Sequence, residues 1–575
     1  VTVLDYLIKG GTVIDGTGEE PLVADVAVKD GRIVSVGPTS DDAAETLDAD
    51  GLLVTPGFVD PHTHYDAQLH WDGWATPSSL HGVTSVIAGN CGFTLAPLKP
   101  EDALYTQRMM ARVEGMPLES LQQGPSWEWR SFGDFLDALE GRIAVNAGFM
   151  VGHCALRRHV LGDDAVERAS TDDEVEVTAR LLAQSLDAGG LGLSLSRSYT
   201  HIDGDGRPVP SRLASEEEVL HLCHVVGEYD GTSLEAITDG CIRGFDDESV
   251  EFIAQMSAHA RRPLNWNLLP ISSSMADRVA NQLRPADRAR ELGGRVVALT
   301  MPVASDQCVT LGSYCIWWMA PGWADVLGLP HAEKTAALSD PAVRARLLES
   351  ARSPQAGVGN SAAHMGTYRF GATSAPENDR LEGRLVSEVA AERGLDDFAC
   401  VAQASIAERF DLDFWPVRAT DPHDDPAYRV RLWEGPDVLV GGSDAGAHLD
   451  HLLGSPYPTR FLADALRGTR PLTVERAVRL ITDVPARLFG LRHRGRLAPG
   501  WLADITVIDP ERVGSGPVRR AYDLPGGAYR LMSMPAGVVR VIVNGVEIVK
   551  DGAPTEARPG TVLRSGRDTT GTATS

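Results

Sequence analysis

Hydrophobic and polar positions alternate over residues 1–54, with turns at Gly10-Gly11, Asp15-Gly16 and Asp30-Gly31, so the chain opens as short antiparallel strands. The same texture returns over residues 496–560, in ADITVI (503–508) and VRVIVNG (539–545). Alternating segments at both ends predict one small composite β-sandwich. Between them, apolar β-branched runs alternate with stretches of helical period such as residues 171–188 and 215–229. The runs stop near His64, Cys91, His153, Ser196, Ile237, Asn267, Pro302 and Asp444. Eight runs separated by helices predict an α/β chain with a (β/α)8 TIM-like barrel over residues 55–495.

Residues 94–142 and 304–437 are too long for ordinary connections and are expected to fold over the barrel mouth as lids. The second carries Trp317, Trp318, Trp323, His364, Tyr368 and Arg369, suited either to enclosing a substrate or to packing the insertion itself. Residues 561–575 are polar and expected to be a disordered tail. No internal repeat is present.

Composition narrows the function more than the fold. A chain of 575 residues exceeds one minimal domain, and its net charge of −26 argues against nucleic-acid or anionic-membrane partners. No run of about 18 apolar residues suggests a membrane span, and the N-terminus does not resemble a signal peptide. Seven cysteines without framework spacing suggest reduced thiols in a cytoplasmic protein that acts on a small molecule and leaves homo-oligomerisation open. Lysine occurs only at Lys9, Lys29, Lys99, Lys334 and Lys550, none at the end of a barrel run.

The stretch 55–92 concentrates the chemistry. His62 and His64, two apart in an extended segment, point to one side and can present both imidazoles to one cation. Cys91 follows the next β-run between small residues that leave its thiol room to bind metal, although a cysteine there is also a small buried hydrophobe. Position favours ligation, because α/β barrels assemble their sites at the carboxyl ends of strands. Val438 to Val440 is another run, and GGSD after it ends in Asp444. A carboxylate beside a cation keeps a low pKa and can relay a proton from bound water.

PGFVDPHTHYD (56–66) and GVTSVIAGNCGFTLAP (82–97) resemble the amidohydrolase superfamily, and within it the D-aminoacylase (N-acyl-D-amino-acid deacylase) group. The resemblance continues through residues 8–37, GGLGLSLSRSYT (189–200), LVGGSDAGAHLD (439–450), and residues 472–491 and 494–509. It implies that Cys91 is a metal ligand where many relatives use a carboxylated lysine, and that Asp444 binds metal and takes a proton from the attacking water. Arg460 matches an arginine that could bind a substrate carboxylate. The group also supplies histidines from its fifth and sixth strands, but the matching residues 231–239 and 263–269 contain none, and His259 is the only histidine between His224 and His331. Glu235, Asn265 and Asn267 are candidate oxygen ligands or substrate contacts in their place.

These readings predict a metal-dependent hydrolase of an amide-type C–N bond, with one Zn²⁺ per subunit held by His62, His64, Cys91 and Asp444. Arg460, Asn267, Glu235 and His153 are expected to contact substrate, and Leu268, Leu269, Met301 and Val303 to make the cavity apolar. Two alternatives remain at this level: non-hydrolytic or C–C bond chemistry at a mononuclear site, and a catalytically inactive ligand-binding barrel.

Overall fold

The computed structural model describes residues 3–417 and 424–571, which divide into two compact units, residues 1–305 with 423–575 and residues 306–422. In the larger unit the parallel strands, numbered in chain order, are β1 (Phe58–Asp60), β2 (Val83–Ala88), β3 (Asn146–Phe149), β4 (Gly192–Arg197), β5 (Ser233–Thr238), β6 (Pro263–Trp266), β7 (Arg295–Thr300) and β8 (Val438–Val440). Five helices matter for the site: α1 (Ala103–Val113), α2 (His153–Leu161), α3 (Asp172–Asp187), α4 (Glu216–Gly227) and α5 (Tyr457–Leu466). The strands are covered on both faces, which is why β2, VTSVIA, is buried at every position and has no polar alternation. Helix α3 starts where the sequence supplies a reciprocal cap: Thr171 Oγ1 accepts from Glu174 N–H, while a Glu174 carboxylate oxygen accepts from Thr171 N–H at 2.8 Å.

The strands form two parallel sheets. One has the order β1-β2-β3 with Val562–Leu563 at its edge; the other runs β8-β7-β6-β5-β4 and ends on Val151–Gly152. The chain bridges one seam, since β3 continues through Met150 into Val151–Gly152, and Met150 N–H donates to Ala88 O at 2.9 Å. At the other seam the segments leaving β1 and β8 are joined main chain to main chain. Asp444 N–H donates to His62 O at 3.1 Å, and His64 N–H to Ala445 O at 2.7 Å.

Both ends of the chain enter one nine-stranded sheet, in which Ile505–Ile508 runs antiparallel to Leu53–Pro56, the segment directly preceding β1. Its apolar side buries Ile8, Val26, Val28, Ile505, Val507 and Ile542. A buried Arg494–Asp504 ion pair fastens this sheet to the parallel strands, because Asp504 Oδ2 also accepts from Asn146 Nδ2, in β3, at 3.1 Å.

The structure corrects the expected boundaries. The polar segment after residue 560 is ordered as far as it is described: Val562 and Leu563 are fully buried and pair in parallel with Ala147 and Gly148, and Thr569 Oγ1 donates to Gly231 O at 2.7 Å. Two apolar residues and backbone hydrogen bonds outweighed the polar composition; residues 572–575 lie outside the described ones. The second insertion is shorter than residues 304–437, because Pro426–Trp433 is the ordinary helix leading into β8, with Trp433 packed edge-on against Phe461 of α5 at 5.6 Å. Within residues 306–422, Trp317, Trp323 and Tyr368 are buried in that unit's own core, Trp323 stacking on Phe398 at 5.1 Å, while His364 and Arg369 are exposed. These aromatic rings serve the unit's own packing.

Among the described residues no helix is long and apolar enough to cross a membrane, and all seven cysteines are free and buried.

Removing one member of a buried ion pair leaves an uncompensated charge, at a cost of about 3–5 kcal/mol. Arg494→Met should therefore lower the thermal unfolding temperature clearly, and adding Asp504→Asn should restore part of it. An unchanged unfolding temperature in Arg494→Met would show that the pair does not fasten the sheet.

Candidate metal centre

Strand β1 ends at Asp60, so His62 and His64 lie in the segment beyond it and are not strand residues as expected. Their common direction comes from anchoring of the residue between them. Thr63 N–H and Oγ1–H both donate to Ile87 O at 2.9 Å, which turns Thr63 toward β2 and leaves the flanking imidazoles facing the other way. Cys91 follows β2, and its N–H donates to Glu235 Oε2 of β5 at 2.7 Å. Gly92 comes so near β4 that a Cβ there would sit 2.8 Å from Ser196 N, so only glycine lets this turn close onto the neighbouring strand. Asp444 follows β8, and Asp60 Oδ1 steadies that loop by accepting from Ser443 N–H at 3.1 Å. Cys91, Asp444 and His448 all have positive φ, at 54°, 58° and 50°, so the loops present these side chains from a left-handed backbone that non-glycine residues rarely adopt.

The predicted ligands converge. One ligand atom from each of His62, His64 and Cys91 lies within 4.8 Å of the others, and all three residues are buried. His62 Nε2 is 3.7 Å from Cys91 Sγ, and Asp444 Oδ1 is 3.8 Å from His62 Nε2 and 3.2 Å from His64 Nε2. Imidazole, thiol and carboxylate atoms facing one another suit a zinc-type ion. In one respect the centre departs from the usual pattern of metal-bound histidines: among the described residues neither Nδ1 has a hydrogen-bond partner.

By the protein's own charges, burial drives the His62 imidazole down to about 3. Burial acts the same way on His64, but the Glu114 and Asp444 carboxylates outweigh it and raise that group. Burial opposes ionisation of Asp444, yet its hydrogen bond to His64 and the nearby imidazoles hold it well below the usual carboxylate range. Burial pushes Glu235 up to about 8, and burial with Glu235, Glu114 and Asp444 pushes the Cys91 thiol well up. A raised thiol is the opposite of what a thiolate ligand needs. A cation in the cluster would reverse this, since its charge is larger than any protein charge nearby.

Asn267 and Glu235 belong to the cluster but face Cys91. The Asn267 amide lies 3.3 Å from the sulfur, and with its O and N exchanged it donates to Ala236 O at 3.1 Å and to Glu235. Asn265, in register with Glu235, donates from Nδ2 to Leu234 O at 3.3 Å.

Two expected substrate contacts lie elsewhere. His153 begins α2 with no exposure, and both ring nitrogens are engaged, Nδ1 with Ser211 Oγ at 3.0 Å and Nε2 with Glu218 Oε1 of α4 at 3.2 Å. Arg460, in α5, donates from Nε to Ser515 Oγ at 2.6 Å, toward the terminal β segments. Sequence reasoning missed Glu114, whose Oε2 is 3.5 Å from His64 Nε2, and His201, whose Nδ1 is 2.7 Å from Ser196 Oγ and which interacts electrostatically with His64, His448 and Asp444. Glu114 sits at the end of α1 inside an insertion, where no motif marks it. A cavity of about 600 Å³ lined by Arg295, Trp433, Val438 and Leu488 opens at the amino ends of β7 and β8, the end away from these ligands.

The chain is similar to known proteins along almost its whole length. D-aminoacylase from Alcaligenes xylosoxydans xylosoxydans is 29% identical over 564 residues, covering 97% of each chain. N-acyl-D-aspartate deacylase from the same organism is 29% identical over 573 residues, 98% of this chain and 95% of the relative. A D-aminoacylase structure described in terms of a binuclear metal centre, with one-metal activation and second-metal attenuation, superposes with a TM-score of 0.64 at 26% identity over 98% of this chain and all of its own. The amidohydrolase family pattern matches residues 45–549, and the chain belongs to that family.

Proposed function

We propose that this amidohydrolase is a metal-dependent deacylase that cleaves the amide C–N bond of an N-acyl amino acid or a related amide, at the carboxyl-terminal mouth of a closed (β/α)8 barrel. The observation that carries the reading is the convergence of His62, His64 and Cys91 within 4.8 Å, with Asp444 against both imidazoles. The main-chain bonds between the loops after β1 and β8, and the passage of β3 from one sheet to the other, support a closed barrel. A lid role for residues 94–142 is supported by their place in the chain, after β2.

His62, His64, Cys91 and Asp444 would hold one zinc ion per subunit. The chemistry such an ion supplies when bound is Lewis acidity, which polarises a carbonyl and makes water a competent nucleophile near neutral pH. Asp444, kept ionised by its imidazole neighbours, accepts a proton from the attacking water and delivers it to the leaving nitrogen. Glu235 holds the Cys91 main chain and so fixes where the sulfur stands. Leu268, 40% exposed two residues after β6, with Met301 and Val303 after β7, would offer an apolar wall to the acyl group or side chain of the substrate, whereas Leu269 is fully buried and does not contribute to it.

Purified protein should carry about one zinc per chain, and His62→Ala should lose metal and activity together while keeping its secondary structure. Two fully occupied zinc ions per chain would overturn the single-ion reading. Cys91→Ser should weaken zinc binding far more than it lowers the unfolding temperature of the metal-free protein; full metal content in Cys91→Ser would make this residue a buried hydrophobe only.

The raised His64 imidazole gives a pH prediction. Protonated His64 must lose its proton to become a ligand, so zinc affinity should rise with pH and binding should release protons, measurable by calorimetry in buffers of different ionisation enthalpy. Affinity independent of pH would count against His64 as a ligand.

For substrate, amides with a long aliphatic acyl group should be turned over faster than N-acetyl-D-amino acids, and Arg460→Ala should not change KM for acidic substrates selectively, because that side chain is engaged with Ser515. Turnover of N-acetyl-D-methionine at a kcat/KM of ~10⁴ M⁻¹s⁻¹ or more would show that the apolar wall does not set the preference.

A further inference from the structure

We propose that Glu114, delivered by the insertion that follows β2, is an additional oxygen ligand of the ion held by His62, His64, Cys91 and Asp444. The proposal rests on the metal-site reading above. It assigns to this insertion a donor that the fifth and sixth strands, with Glu235, Asn265 and Asn267 in place of histidines, do not supply.

The placement of Glu114 is built in from both sides. It directly follows α1, where its N–H donates to Met110 O at 2.9 Å, and its carbonyl accepts from His448 N–H, four residues beyond Asp444, at 2.5 Å. The next residue, Gly115, has a φ of 56°, and a Cβ there would lie 3.1 Å from His448 Cα and 3.0 Å from His448 Nδ1. The insertion can lie this close to the loop after β8 only because position 115 has no side chain. That contact brings the end of α1 over the cluster.

The surroundings of the carboxylate identify its use. Glu114 is 3% exposed, and among the described residues its only side-chain partner is the His64 imidazole, with Oε2 3.5 Å from Nε2. The same Nε2 faces Asp444 Oδ1 at 3.2 Å and belongs to the group formed with His62 and Cys91. One imidazole nitrogen holds one proton, so it cannot serve both carboxylates that face it. A buried carboxylate without hydrogen-bond donors is costly. A divalent cation among these atoms compensates both acids at once and uses Nε2 as a lone-pair donor. Asn267 and Glu235 are spent on Cys91, as its Sγ and N–H contacts show, which leaves Glu114 as the uncommitted carboxylate facing His64.

The rival account is that Glu114 only pairs with a protonated His64, and the two accounts predict opposite signs. If Glu114 is a ligand, Glu114→Gln should weaken zinc binding by about tenfold or more in chelator competition and change the d–d absorption of the cobalt(II)-substituted protein, with Glu114→Asp intermediate. If it only pairs with His64, Glu114→Gln removes the charge that favours the competing proton, and zinc binding should stay the same or tighten; that result would overturn the proposal. His62→Ala, measured alongside, separates this inference from the site reading. Loss of zinc in His62→Ala with normal zinc in Glu114→Gln defeats only the Glu114 assignment, whereas normal zinc in His62→Ala defeats the metal site itself. Unfolding temperatures of the wild type and Glu114→Gln, both with excess chelator, check that the loss is not a folding defect: equal values support ligation, and a collapse limited to the variant opposes it.

Discussion

A buried surplus of negative and lone-pair atoms at the carboxyl ends of the strands is the constraint around which this molecule is arranged. His62, His64, Cys91 and Glu114 are buried there, the partly exposed Asp444 carboxylate lies against both imidazoles, and one proton on His64 Nε2 cannot serve both carboxylates. Such a cluster stands only if the surrounding backbone over-determines it. Here the segments after β1 and β8 are bonded to each other through the main chains of His62, His64, Asp444 and Ala445, so the ligand-bearing loops are themselves the seam between the two sheets.

That coupling explains where conformational strain is tolerated. Cys91, Asp444 and His448 each occupy a left-handed backbone conformation, which costs on the order of 1–3 kcal/mol per residue at such positions. Each of these three either bears a candidate ligand or supports the loop that does. The terminal β sheet joins the chain at the segment entering β1 and, through Asp504 and Asn146, at the start of β3. It therefore braces the amino ends of the strands and leaves their carboxyl ends to the chemistry.

Glu235 and Asn267 show how a family site changes without losing its scaffold. Both lie in the segments where the resemblance implies histidines, yet Glu235 accepts the Cys91 N–H and Asn267 lies against the sulfur. They support the Cys91 turn, and a second carboxylate beside His64, that of Glu114, comes from the insertion after β2.

The sequence by itself determined the alternation of strands and helices, the two terminal β segments and four of the five convergent groups, because each of these is local: a period, a cap, or a side chain a few residues beyond an apolar run. Local signals could not decide that His153 is consumed by Ser211 and Glu218, that Arg460 turns to Ser515, or that Val562 and Leu563 extend a sheet, since those outcomes depend on which distant group arrives first at a polar atom or an open edge. Nor could they locate Glu114. It is an unremarkable acid at a helix end in one dimension, and only the passage of Gly115 over His448 brings it beside His64, because the placement of a buried charge is fixed by the tertiary contacts of its backbone and not by its neighbours in the chain.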